Sequence, residues 1–339
     1  MDMDFRQVFS DDALRQEFLD RFDELADSAR SVGGLEGLDG GLDYAMASEA
    51  VERMAEGAWG SAAKGANGLE AIIRRFGRPV YLVQGGAVIP LPDGFPGSDT
   101  ILRLIEQSHS VLATAIPSVG RIDLYNHMMQ WAGTAWMVGP GLAVTNRHVA
   151  TLFCGREGDA FVFDLHDGQR TRATIDWFRE YLRPEESRLR VAEIVWMEPR
   201  SSDLDVALLR MAEKGEDGQA APAPIGLLTQ EEIAAAGVGH WTAVIGYPAY
   251  DSRNDINDQQ RIFDGIYNCK RVAPGRLTAI EGQRRVHHDA TTLGGNSGSV
   301  VLDLSTGKAM ALHFGGRPGV HNSAVPAPLL ADLVREHGA

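Results

Sequence analysis

Cysteine is scarce in this sequence, because its 339 residues include only Cys154 and Cys269. Disulfides are common in secreted proteins and rare in the reducing cytoplasm. We therefore expect both cysteines to be free thiols and the protein to be cytoplasmic. The apolar fraction of 44% indicates ordinary hydrophobic cores.

Long hydrophobic runs are also missing. No apolar stretch approaches the ~20 residues that span a bilayer. The acidic start, Met-Asp-Met-Asp-Phe-Arg, lacks the apolar centre of a secretory signal peptide. We therefore expect a protein that neither enters a membrane nor carries a leader.

Positive charge is low as well, and the net charge is −14. Residues 1–70 contain 16 acidic and 6 basic residues, so most of the negative charge belongs to the amino-terminal region. Such a field opposes nucleic-acid binding, which needs basic clusters. His127, His166 and His240 have no cysteine or histidine at ligand spacing, so we expect no metal and no cofactor.

A serine between glycines is the main candidate for chemistry. Residues 291–301 read Thr-Thr-Leu-Gly-Gly-Asn-Ser-Gly-Ser-Val-Val, which puts Ser297 on a glycine-rich turn before a β-prone run. Glycine lets a turn point its backbone N–H groups outward, and an oxyanion hole is built from such groups. Without partners elsewhere in the chain, the pattern favours a plain hairpin.

Two other residues have the contexts that such partners need. Residues 133–138 and 142–150 are β-prone around a Gly-Pro-Gly break, which predicts a hairpin with His148 just after its second strand. Asp205 directly precedes an apolar run, so we expect its carboxylate at a strand end, partly shielded from water. An aspartate there can accept the imidazole N–H and fix its tautomer. Together with Ser297, these residues predict a catalytic triad.

The three motifs resemble those of the trypsin-like (chymotrypsin-fold) serine peptidases. The resemblance covers about residues 119–335 and rests on three segments: Thr145-Asn146-Arg147-His148-Val149, Asp205-Val206-Ala207-Leu208-Leu209 and Gly294-Gly295-Asn296-Ser297-Gly298-Ser299. The order His, Asp, Ser differs from the orders in α/β-hydrolases and subtilisins.

The resemblance implies a fold and a role for each residue. The catalytic region would be all-β, with two antiparallel barrels of chymotrypsin type and the active site between them. Ser297 would be the nucleophile, His148 the general base and then acid, and Asp205 the residue that orients the imidazole. The backbone N–H groups of Gly295 and Ser297 would form the oxyanion hole.

The same resemblance divides the chain into three parts. Residues 1–118 would be a mainly α-helical extension, and residues 119–235 a first barrel that carries His148 and Asp205. Residues 236–339 would be a second barrel that carries Ser297 and ends in a helix near 326–336.

Within the extension, apolar residues at helical spacing predict one amphipathic helix that ends at Gly33-Gly34: Leu14, Phe18, Phe22, Leu25 and Ala29. Other patterns predict helices over 47–57, 67–76 and 101–116 and a small hairpin within 80–89. This extension is either an accessory layer packed on the barrels or a regulatory segment that blocks the cleft or docks a partner protein.

The sequence also resembles the bacterial branch that contains the glutamyl endopeptidases. The supporting features are Ile245-Gly246-Tyr247-Pro248, Thr292 and Leu312-His313-Phe314-Gly315-Gly316. This resemblance implies that Thr291 forms the pocket floor without the negative charge that binds basic side chains. It implies that Thr292 and His313 line the pocket and that Gly315 and Gly316 offer backbone groups to an extended substrate. A hydroxyl and a protonatable imidazole would suit an acidic side chain, and small or uncharged side chains are the alternative.

Residue 296 bears on regulation. In secreted zymogens of the family, an aspartate before the nucleophile pairs with a newly cut amino terminus, and here that position is Asn296. We therefore expect the oxyanion loop to form without cleavage. The expected function is a serine endopeptidase that acts on a protein or peptide. The alternative is a silent or partner-activated pseudo-peptidase that binds extended peptides.

Overall fold

The computed structural model describes residues 5–31, 44–58, 67–215, 218–252, 256–317 and 321–338. Two antiparallel barrels follow a mainly helical amino-terminal region. The expected fold class, an all-β catalytic region of two barrels with a helical extension, is therefore confirmed. Both cysteines are buried and free.

The amino-terminal region contains seven described helices and one hairpin. They are α1 (Phe5–Phe9), α2 (Asp12–Asp20), α3 (Phe22–Ser31), α4 (Tyr44–Ala55), α5 (Asn67–Gly77), β1 (Tyr81–Gln84), β2 (Ala87–Ile89), α6 (Asp99–Gln107) and α7 (His109–Ala115). The apolar faces of α1 to α6 form one core, which includes Phe9, Phe18, Leu25 and Phe76. The buried residues of α7, Leu112 and Ala115, belong to a second core.

The single long helix expected over residues 14–29 is wrong, because the structure has two helices, α2 and α3. Arg21 lies between these two helices, and its backbone dihedral angles, φ −105° and ψ 9°, are not helical. Its guanidinium donates to the Gly97 carbonyl at 3.0 Å, a contact with a segment that is distant in the sequence. The apolar stripe is nevertheless buried on both sides of the break. The predicted Gly33-Gly34 helix end lies outside the described residues.

Six strands close the first barrel. They are β3 (Val119–Tyr125), β4 (Trp131–Gly139), β5 (Leu142–Thr145), β10 (Arg172–Asp176), β11 (Arg188–Met197) and β12 (Ala207–Met211), in the order β10-β11-β12-β5-β4-β3. The helix α8 (Arg147–Ala150) and two short hairpins, β6–β7 (Cys154–Glu157, Ala160–Phe163) and β8–β9 (Leu165–His166, Gln169–Arg170), lie between β5 and β10.

The second barrel also has six strands and receives a hairpin from the extension. Its elements are α9 (Gln230–Ala236), β13 (Trp241–Gly246), α10 (Ile256–Phe263), β14 (Arg271–Glu281), β15 (Arg285–His288), β16 (Val300–Asp303), β17 (Ala309–Arg317), β18 (His321–Pro326) and the closing helix α11 (Ala327–His337). The order is β13-β16-β17-β18-β15-β14, and a β13–β14 pairing closes the ring. Strand β1 pairs with β14, with Tyr81 opposite Val272, so the extension is continuous with this sheet.

A large apolar cluster lies between the barrels and includes Trp136, Leu208, Ile245 and Val300. The cluster also contains Val83 of β1, so the extension contributes to the same core. This packing fixes the two barrels relative to each other, because close-packed interiors resist displacement.

Candidate active site

The histidine and aspartate of the predicted triad are in direct contact. His148 lies in α8, just after β5, and Asp205 just before β12. Strands β5 and β12 pair with Thr145 opposite Ala207, which brings the two strand ends side by side. The His148 Nδ1 lies 2.5 Å from Asp205 Oδ2. This contact favours a proton on Nδ1 and leaves the Nε2 lone pair for a hydroxyl.

The backbone around this pair reinforces the orientation. The His148 N–H donates to Asp205 Oδ1 at 2.9 Å, so each carboxylate oxygen has its own bond to residue 148. Asn146 Nδ2 donates to the Asp205 carbonyl at 2.9 Å. The carboxylate side chain is 14% exposed and the imidazole 46%, so the histidine is accessible to solvent while its partner is shielded.

Ser297 lies on a turn held by both barrels. The Gly298 N–H donates to the His313 carbonyl of β17 at 2.9 Å, and the Thr134 N–H of β4 donates to the Ser297 carbonyl at 2.9 Å. Gly298 has φ +87°, and a Cβ there would lie 2.0 Å from the Thr134 carbonyl oxygen. Glycine is therefore required at residue 298 by both conformation and space.

The serine turn lies against the histidine helix. A Cβ placed on Gly133 would lie 3.0 Å from the Ser297 carbonyl oxygen and 3.1 Å from both methyl groups of Val149, the residue after His148. Gly133 of β4 therefore lies next to both the Ser297 carbonyl and the Val149 side chain of α8. The structure brings all three predicted triad residues to one junction of the barrels.

The predicted oxyanion-hole donors are available. Gly295 and Ser297 lie in a turn, and within the described part of the chain neither N–H has a hydrogen-bond acceptor. Gly295 has φ +86°, and a Cβ there would lie 2.4 Å from the Tyr247 carbonyl oxygen and 2.5 Å from the Trp131 ring. Asn296 is buried, with its Oδ1 3.4 Å from the Ser299 hydroxyl.

Two predicted pocket residues use their hydroxyls within the protein. Thr291 is buried, and its Oγ1 donates to the Arg78 carbonyl at 3.0 Å. Thr292 Oγ1 donates to Asn322 Oδ1 at 2.9 Å, and Asn322 Nδ2 donates to the Ala290 carbonyl at 2.7 Å. The amide of Asn322 therefore ties β18 to the segment before Ser297.

His313 is buried beside a second histidine. His313 Nδ1 lies 3.1 Å from His288 Nε2. Burial lowers the pKa of His313 well below its ordinary value, and the neighbouring His288 and His148 lower it further. His313 is therefore neutral near pH 7, which differs from the protonatable imidazole that we expected to bind an anion.

Gly315 and Gly316 border an open pocket of about 410 Å³. Its remaining lining residues are Glu281, Arg285, His287, Phe314 and Ser323. The Arg285 guanidinium lies 5.6 Å from the centre of the Phe314 ring. The pocket therefore presents one cation and one anion next to the glycines predicted to bind substrate.

Three of these residues were missed at the sequence level: Arg78, His288 and Asn322. None belongs to a motif, and each acts through a partner on another strand or segment. Asn322 is opposite both His288 and Gly316 in the strand pairing, which only the register reveals.

The described residues contain neither a candidate membrane span nor a candidate metal cluster. No helix among them is long and apolar enough to cross a membrane. Within the same ranges, no group of three or more His, Cys, Asp or Glu side chains could hold a metal ion.

Sequence comparisons agree on one family. The sequence profile of the trypsin-like peptidase domain matches residues 133–312. A probable serine protease from Lysobacter enzymogenes is 31% identical over 284 residues, which cover 76% of this chain and 72% of that protein.

Two solved structures are similar at a lower level. The Rv3671c protease in its inactive form has a TM-score of 0.43 and 18% identity, over 69% of this chain and 96% of that one. A serine-to-alanine mutant of Rv3671c from M. tuberculosis, also in its inactive form, has a TM-score of 0.41 and 19% identity, over 67% of this chain and 90% of that one. From the family profile and the Lysobacter relative, we conclude that this chain belongs to the trypsin-like peptidase family and is a serine protease.

Proposed function

We propose that the protein is an endopeptidase that cleaves through a His148-Asp205-Ser297 triad and an acyl-enzyme. The observation that carries the proposal is the double contact of Asp205 with residue 148, to the imidazole at 2.5 Å and to the backbone N–H at 2.9 Å. This arrangement supports an imidazole whose Nε2 can accept the serine proton.

The proposed reaction begins when Ser297 Oγ attacks the carbonyl carbon of the peptide bond and its proton passes to His148 Nε2. The N–H groups of Gly295 and Ser297 donate to the oxygen that gains negative charge, which lowers the barrier by several kcal/mol. His148 then gives its proton to the leaving amine. A water molecule, deprotonated by His148, hydrolyses the acyl ester and restores the serine.

Labelling with a fluorophosphonate probe tests this proposal directly. Wild-type protein should form a covalent adduct at Ser297, and Ser297→Ala should form none. Ser299→Ala is the matched control, because Ser299 is a buried serine two residues away that donates no proton in the proposed reaction. An unlabelled wild type would favour the pseudo-peptidase that only binds extended peptides.

We further propose a preference for glutamate or aspartate on the acyl side of the cleaved bond, as in the glutamyl-endopeptidase branch. Support comes from the absence of a negative charge at Thr291 and Thr292. A neutral His313 also supports it, because when its Nδ1 accepts from His288 its Nε2 carries a hydrogen that can donate to a carboxylate. Arg285 adds a positive charge beside Gly315 and Gly316, in a pocket that Glu281 also lines.

Cleavage of a peptide library tests this preference. We expect acidic residues to be enriched immediately before the cleavage site, and replacement of His313 by Leu to abolish the enrichment while cleavage continues. Enrichment of small uncharged residues would contradict the acidic preference and leave the peptidase proposal intact.

A cytoplasmic location and a regulatory partner for the helical extension are also proposals. The two buried free thiols support the former. Fractionation of the native host cell would test the location, and co-purification with the full-length protein would test the partner.

A further inference from the structure

The buried guanidinium of Arg78 joins the amino-terminal extension to the segment that precedes Ser297. Arg78 lies between α5 and β1 and has no exposed surface. Its Nε and Nη2 donate to the two carboxylate oxygens of Asp289 at 3.0 and 2.6 Å. A buried charge pair is costly unless its geometry is good and its remaining donors are satisfied. Here Nη1 also donates to the Gly77 carbonyl at 2.6 Å.

Residues 289–292, which precede the active-site turn, are called the pocket segment, and two of its positions contact Arg78. Asp289 lies eight residues before Ser297, and its Oδ1 also accepts the Arg276 N–H of β14 at 2.6 Å. Two residues later, the Thr291 hydroxyl donates to the Arg78 carbonyl at 3.0 Å. The side chain and the backbone of Arg78 therefore hold residues 289 and 291 at the same time.

The attachment continues into the helices. The Arg78 and Arg276 guanidinium groups lie 5.1 and 4.4 Å from the Trp241 ring. Arg276 forms an ion pair with Asp11, whose other oxygen accepts the N–H groups that begin α2. This charged cluster links α2, α5 and β14 to residues 289–292, the segment that precedes the active-site turn.

We propose that Arg78 is a positioning residue that orders residues 289–292. The substrate pocket then takes its shape only when the amino-terminal extension that carries Arg78 is packed against these residues. The inference rests on the proposed peptidase function. The extension then acts as a structural part of the pocket wall. Loss of the guanidinium would leave Asp289 buried without its cation, and the segment would relax away from the geometry that binds substrate.

The matched control is Arg75, three residues earlier in the sequence. Arg75 is also buried and also forms an ion pair, with Asp93, but that pair lies outside the pocket segment. Arg78→Met and Arg75→Met therefore each remove one buried guanidinium from the extension, and only the first removes a contact with residue 289.

Kinetics on a fluorogenic peptide chosen from the library measure the effect, with each variant assayed well below its unfolding temperature. We expect Arg78→Met to raise KM at least about tenfold with kcat within about threefold, because ground-state binding is what the pocket supplies. Arg75→Met should leave KM within about threefold of wild type. Equal KM values for the two variants would overturn the proposal.

A double variant separates positioning from stability. Adding Asp289→Asn to Arg78→Met removes the unpaired buried charge, so the unfolding temperature should recover towards that of wild type. KM should stay high, since residue 289 still lacks its bonds to the Arg78 guanidinium and keeps only the bond from the Arg276 N–H. If both the unfolding temperature and KM returned to their wild-type values, Arg78 would have only a stabilising role, and the inference would be overturned.

Two milder variants cover the case in which Arg78→Met does not fold. Arg78→Lys keeps the charge without the two-pronged contact, and Thr291→Val removes the hydroxyl that donates to the Arg78 carbonyl. Each should raise KM, and wild-type KM in both would overturn the proposal. Failure of the peptidase proposal itself would be seen separately, as a wild type that the fluorophosphonate does not label.

Discussion

Asp205 contacts residue 148 twice, through Oδ2 to the imidazole Nδ1 at 2.5 Å and through Oδ1 to the backbone N–H at 2.9 Å. The first contact sets the tautomer and the second sets the position of the short helix that carries the ring. Because the aspartate side chain is only 14% exposed, little water competes for either bond. One carboxylate thus sets both the tautomer and the position of the His148 ring.

Asp205→Asn should therefore lower kcat by about 10⁴-fold with little change in KM, because the amide favours the wrong imidazole tautomer. Steady-state kinetics near neutral pH measure the effect. Asp203→Asn is the control, since Asp203 is exposed and two residues away, and it should stay close to wild type. A modest loss of kcat in Asp205→Asn would contradict the triad.

Gly295→Ala should lower kcat by about 10²–10³-fold, because the new Cβ would displace an oxyanion-hole donor. That Cβ would meet the Tyr247 carbonyl oxygen at 2.4 Å. Gly141→Ala is the control, because Gly141 also has positive φ, +65°, but has open space around it. Both variants should lose roughly 1–2 kcal/mol of stability from the positive φ, and Gly295→Ala should lose more, because its Cβ also overlaps the Tyr247 carbonyl oxygen and the Trp131 ring. Equal kcat values in the two variants would argue against a hole at Gly295.

His313 should make stability fall as the solution is acidified. Its pKa in the folded protein is lowered, first by burial and then by His288 and His148. Between that pKa and the unfolded value of about 6.5, the unfolded chain binds one more proton than the folded chain. The free energy of unfolding therefore decreases as pH falls through this window.

Denaturant unfolding of wild type and His313→Gln at about pH 7 and pH 5 tests this linkage. The wild type should lose more stability on acidification than the variant. His109→Gln is the control, because His109 is exposed on α7, and it should keep the wild-type difference. Identical acid losses in all three proteins would mean that His313 titrates alike in the folded and unfolded states.

The two thiols should be inert in the native protein. Burial raises the pKa of Cys154 to about 12, with a further increase from Asp164, and burial also raises the pKa of Cys269. Iodoacetamide attacks the thiolate, so at about pH 8 neither residue should react until the protein is unfolded. Mass spectrometry after unfolding should find two carbamidomethyl groups. Unfolded protein that takes up none would instead contain a disulfide.

The features that the sequence predicted correctly have local determinants. The glycines around Ser297, the break between β4 and β5, and the apolar run after Asp205 each predicted a feature that the structure contains. The apolar stripe of α2 and α3 is buried, as the sequence predicted, but it belongs to two helices and not to the single helix that was predicted. The interruption at Arg21 is accompanied by its bond to the Gly97 carbonyl, a tertiary contact that periodicity does not encode.

The sequence by itself determined the local contexts and the order of His148, Asp205 and Ser297, because these are short motifs, and the resemblance of those motifs to the trypsin-like peptidases implied the family and the two barrels. Tertiary structure alone decided what surrounds them. The Arg78–Asp289 pair joins residues 211 positions apart, and the His288–His313 pair depends on how β15, β17 and β18 align. Burial then keeps His313 neutral, and burial is a property of the closed barrel that no local pattern reports.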